Sequence, residues 1–68
     1  MSYTVGEIKV AAYNWTELPN MTVEERYLWQ GLGYCYEAYR AEPEEKPFLD
    51  KLSKDYIETF ERNTKNDS

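Results

Sequence analysis

The sequence predicts an all-α fold, a small antiparallel helical hairpin or three-helix bundle, on three observations. A capping sequence, Thr22-Val23-Glu24-Glu25, precedes Leu28, Leu32, Cys35 and Tyr39, whose spacings of four, three and four define one helical face. A second apolar stripe, Phe48, Leu49, Leu52, Tyr56, Ile57 and Phe60, follows Pro47, a residue favoured at the first helical position. Another Thr-x-x-Glu, Thr4 to Glu7, opens the first apolar stretch of the chain.

The elements follow in chain order. Residues 5–15 read as a short helix or a strand: Val5, Ile8, Ala12 and Trp15 keep helical spacing, whereas Ile8, Val10 and Ala12 also alternate with Glu7, Lys9 and Ala11. The Thr4–Glu7 cap favours the helix. Leu18-Pro19-Asn20 is a connecting turn, and residues 1–21 form an N-terminal segment ahead of a helical hairpin over 22–62. The central helix spans about 23–41 and stops at Ala41-Glu42-Pro43, because the residue before a proline avoids helical dihedrals. The last helix spans about 47–62. Asp50/Lys54, Lys51/Asp55, Lys54/Glu58 and Glu58/Arg62 place opposite charges four apart on its outer side. Residues 63–68, a polar tail, are expected to fray.

The central helix is apolar on several sides. Beside the Leu28 line run Tyr27, Gly31, Tyr34 and Ala38, and on a third side Trp29 and Tyr36. A helix apolar over most of its circumference is buried over most of it. Each glycine costs roughly 1 kcal/mol against alanine inside a helix, so Gly31 and Gly33 call for compensation. Gly31, Cys35 and Ala38 form a small-residue strip on which another helix backbone can come close. Gly33, between Trp29 and Tyr36, leaves room for those rings.

A chain of 68 residues forms one small domain. It buries only about 60% of its unfolded surface, so a partner is a natural source of further stability. One cysteine and no histidine leave neither a disulfide framework nor a common zinc site, and the chain reads as reduced. Neither a signal-peptide pattern nor a run of ~20 apolar residues is present, so a soluble, cytoplasmic protein without membrane contact is expected. The net charge of −5 and interspersed lysines argue against direct nucleic-acid binding, which draws its affinity from clustered Lys and Arg.

No pattern of chemistry stands out. Cys35 lies on the most apolar line of the central helix, with no histidine to make it a thiolate, and reads as a buried structural thiol. The acids Glu24, Glu25, Glu42, Glu44 and Glu45 surround no calcium loop, and the chain carries neither a Gly-Lys-Ser/Thr phosphate loop nor a dinucleotide fingerprint. The expectation is no enzyme, no catalytic residue, no cofactor and no metal. What remains is surface. Seven tyrosines and two tryptophans exceed what so short a core hides, and these residue types are enriched in binding hot spots.

Residues 18–40, with Leu18-Pro19, the cap Thr22 to Glu25, and an aromatic helix ending in Tyr39-Arg40, resemble short helical proteins encoded in phages and prophages of Gram-positive bacteria. That resemblance implies a phage or mobile-element accessory protein and brings no catalytic residues with it. Two functions are then expected to compete. In the first, the chain is a protein–protein interaction module that self-associates, most simply as a dimer, through Trp29, Gly31, Tyr34, Cys35, Tyr36 and Ala38. In the second, Glu24, Glu25, Glu42, Glu44, Glu45, Asp55 and Glu58 form a continuous acidic surface that mimics nucleic acid and inhibits a host defence or transcription protein.

Overall fold

The computed structural model describes residues 2–66, with side chains through residue 64. Three helices follow one another, α1 Val5–Tyr13, α2 Val23–Arg40 and α3 Lys46–Asn66, and there is no strand among the described residues. Both capping boxes form. The Thr4 hydroxyl accepts from the Glu7 N–H at 3.1 Å, and the Glu7 carboxylate accepts from the Thr4 N–H at 2.8 Å. The same exchange joins Thr22 and Glu25 at 3.1 and 2.9 Å. These caps satisfy N–H groups that the first turn leaves orphaned, and at α1 they decide for helix over strand.

α1 ends in a Schellman motif. The Trp15 N–H reaches the Ala12 carbonyl at 3.1 Å and the Thr16 N–H reaches that of Ala11 at 2.8 Å. The residue after the cap must then take left-handed dihedrals, and Trp15 does so with φ 53°, at a position where glycine is usual. Asn20, with φ 58°, makes the second left-handed turn, which its short amide tolerates. α2 stops at Arg40 before an extended Ala41, as Pro43 dictates. α3 begins one residue ahead of Pro47 and continues beyond the expected end at Arg62 to Asn66. No glycine or proline follows Pro47 to break it, so residues 63–66 continue the helix where fraying was expected; 67 and 68 lie outside the described residues.

α2 is the middle element. α1 and α3 both pack on it and do not approach each other along their backbones. α3 is antiparallel: Lys46 Nζ donates to the Ala38 carbonyl at 2.9 Å, Ser53 Oγ to that of Gly31 at 2.6 Å, and Phe60 closes on the cluster around Leu28. α1 is parallel to α2, with Tyr3 at Glu25 at one end and Tyr13 against Tyr36 and Arg40 at the other. The connector of residues 14–22 therefore runs back along α1. Ile8, Ala11, Ala12, Leu28 and Trp29 form the buried centre. The chain measures 38 × 23 × 15 Å, its long dimension close to the ~32 Å of a 21-residue helix.

The Leu28 line is not the innermost face of α2. Leu28 is buried, Leu32 and Cys35 are half-buried, and Tyr39, expected in the core, is 76% exposed. The two partner helices lie on either side of this line and close over it only near Leu28, where Phe60 arrives. Phe48, counted in the stripe of α3, is likewise 66% exposed. The spaced charge pairs of α3 do not close; among the described residues the one ion pair is Arg26–Glu17, at 2.6 Å.

Candidate interaction surface

The residues assigned to an interface by sequence are largely used inside the chain. Trp29 is 8% exposed, and its indole N–H donates to the Thr16 carbonyl at 3.0 Å. Gly31 and Ala38 are buried, while Tyr34, Cys35 and Tyr36 are half-buried. The space at Gly31 is occupied by α3: a methyl there would lie 2.6 Å from Ile57 Cγ1 and 3.2 Å from both the Ile57 nitrogen and the Ser53 oxygen. The close helix approach expected on the small-residue strip is thus made at Gly31 by the chain's own third helix.

Gly33 faces almost the opposite way, since two residues along a helix turn through about 200°. A methyl there would sit 2.5–2.8 Å from three ring atoms of Trp15. The ring it accommodates comes from the connector, not from Trp29 or Tyr36. Trp15 also donates its indole N–H to Glu37 at 2.8 Å and meets Trp29 and Tyr34 edge-on, with centroids 5.2 and 5.3 Å apart. Tyr34 stacks on Tyr56 at 5.7 Å, and Tyr56 lies beside Tyr27. This row of five rings absorbs much of the aromatic excess. Its hinge, Trp15, was legible as an apolar residue but not as the ring that fills a glycine.

Of the acids, Glu42, Glu44, Glu45, Asp55 and Glu58 are exposed and Glu24 is half-buried. Glu25 is 0% exposed and leaves the acidic surface altogether. Its carboxylate accepts from the Thr22 N–H at 2.9 Å and the Tyr3 N–H at 2.6 Å. Burial by itself would raise the carboxyl pKa. The Thr22 and Tyr3 N–H groups, with the Thr22 hydroxyl and the Ser2 N–H, outweigh it and hold the group below its usual range. Glu25 therefore anchors the segment ahead of α1 to the start of α2. Among the described residues no three Cys, Asp or Glu side chains converge to hold a metal ion, and no helix is long and apolar enough to cross a membrane.

Large apolar side chains are exposed on all three helices, Val5, Val10 and Tyr13 on α1, Val23 and Tyr39 on α2 and Phe48 on α3, and of these Val10 and Tyr13 line surface hollows. Ile8, Ala11 and Ala12 face inward, and Gly6, Val10 and Tyr13 face out. Val10 is 67% exposed. Between α1 and the returning connector lies a groove of about 480 Å³ lined by Gly6, Glu7, Val10, Ala11, Asn14, Thr16 and Leu18. A bond from the Tyr3 hydroxyl to the Pro19 carbonyl ties connector to chain start near one end, and the Schellman turn closes the other. Across the Val10–Asn14 ridge a second hollow of about 240 Å³ is lined by Lys9, Tyr13 and Tyr36. Arg40 lies 5.0 Å over the Tyr13 ring. The sequence carried a signal of this face in Val10, the apolar residue that fits the alternating pattern but not the helical one. No family model matches the chain, and no curated protein or solved structure is detectably similar to it.

Proposed function

We propose that this chain is a non-enzymatic protein–protein interaction module that works through the outer face of α1 and the groove beside it. The observation that carries the reading is Val10, an aliphatic side chain 67% exposed at the rim of a preformed, largely apolar groove. Helix faces and grooves of this kind recognise apolar anchors of partner proteins. The face assigned here differs from the α2 strip because that strip is covered at Gly31 by α3. Self-association belongs to this reading, and so does a cytoplasmic accessory role in a phage or mobile element, which rests on the resemblance of residues 18–40.

The test compares a tagged native chain with its Val10→Asp variant for partner recovery from host-cell lysate at low and high salt. Apolar docking predicts recovery at both salt levels and loss with Val10→Asp. The acidic-mimic alternative predicts the reverse: recovery that Val10→Asp leaves intact and that high salt abolishes.

A further inference from the structure

All three glycines of the chain lie in helices, and two are accounted for by atoms of the chain itself. Gly31 makes room for Ile57 and Gly33 for Trp15. Gly6 makes room for nothing: a methyl there would meet only Thr4 Oγ1, at 3.9 Å. Glycine weakens a helix, and at Gly6 no internal contact compensates. Gly6 lies on one line with Val10 and Tyr13, at i, i+4 and i+7, and this ridge stands between the two hollows on either side of α1.

We infer that a second copy of this chain docks on the ridge, α1 against α1, about a two-fold axis parallel to the two helices. The inference rests on the reading of the α1 face as an interaction surface and names its partner. Shape is the first reason. Val10 is a knob beside a hollow lined by Lys9 and Tyr13, so a two-fold mate inserts its own Val10 and receives this one. Charge is the second. Glu7 and Lys9, both exposed, project from opposite flanks of the ridge, because two residues turn through about 200°. A two-fold axis along the helices lays the Glu7 flank of each copy on the Lys9 flank of the other. The perpendicular axis would set like against like, which selects the parallel arrangement.

Size sets the strength. A helix of nine residues is about 14 Å long. It presents less than the ~800 Å² per partner of a stable interface, so the association is weak and depends on concentration.

Sedimentation equilibrium of the full chain from ~20 μM to ~1 mM spans the range of such weak affinities. The native mass is expected to rise toward that of two chains. Gly6→Leu fills the ridge and Lys9→Glu sets acid against acid; both should hold the monomer mass throughout. The dilute melting temperature should stay at or above the native value for Gly6→Leu, since open space surrounds Gly6, and close to it for Lys9→Glu, since Lys9 is exposed. A native chain that stays monomeric at the highest concentration overturns the inference, as does a dimer that both variants leave unchanged. If the native chain is monomeric while Val10→Asp still abolishes capture of a foreign protein, the second copy is wrong and the α1 surface stands. If Val10→Asp abolishes neither dimer nor capture, the surface falls with it.

Discussion

Glu25 shows how one side chain can join two elements. It completes the cap of α2 and, with its other oxygen, holds the Tyr3 N–H that leads into α1. Replacing it with alanine removes the charged acceptor of these part-buried donors, at ~1–3 kcal/mol each. The linkage sign follows from the lowered pKa. In the unfolded chain Glu25 titrates near 4.5, and in the folded chain below that value. Its contribution is therefore complete above pH 4.5 and is lost as the pH falls through the folded pKa. Urea midpoints measured across this acid range should drop for the native chain, and Glu25→Gln should lower the midpoint at neutral pH and flatten that segment of the profile. A Gln variant with the native slope would mean that another carboxyl carries it.

At the scale of elements, α2 is contacted on two sides through its two glycines, and each contact predicts a distinct failure. Gly33→Ala pushes against the rigid Trp15 ring and should destabilise by ~1–3 kcal/mol, the range for overpacking, less what alanine returns as helix propensity. Trp15 should move toward water, shifting tryptophan emission to the red. Gly31→Ala meets a flexible Ile57 side chain, but also the backbone of α3 at 3.2 Å. It should loosen the hairpin and lengthen the Ser53–Gly31 bond without that spectral change. Paired melts and emission spectra separate the two; a red shift in Gly31→Ala alone would contradict this division. The left-handed Trp15 fits the same picture, because its ring contacts offset a backbone conformation usually left to glycine.

At the scale of the molecule, the α2–α3 hairpin and the N-terminal cap of residues 2–22 are unequal parts. α1 has nine residues, packs on no helix but α2, and is too short to persist by itself. Amide hydrogen exchange should therefore show α1 and the connector opening at lower free energy than the facing turns of α2 and α3. Val10→Asp should leave this hierarchy intact, since Val10 faces solvent, whereas Gly33→Ala should widen it. Uniform protection across all three helices would instead show one cooperative unit.

The sequence by itself determined the helical class, the capping box of α2, the turn at Pro19 and the end of α2, and favoured a helix over a strand at residues 5–15, because caps, prolines and helical periodicity act within a few residues along the chain. It also marked Gly31 as a place of close helix approach. Which helix approaches, that Trp15 fills Gly33, that Glu25 is an anchor and not part of an acidic face, and that Tyr39 stays outside were decided by the tertiary structure. The physical reason is that α2 is apolar on more sides than one neighbour can cover. Periodicity reports that a face is apolar, but the parallel return of the connector and the antiparallel α3 determine which faces are covered, and these are set by contacts between residues 13 to 22 apart in the chain.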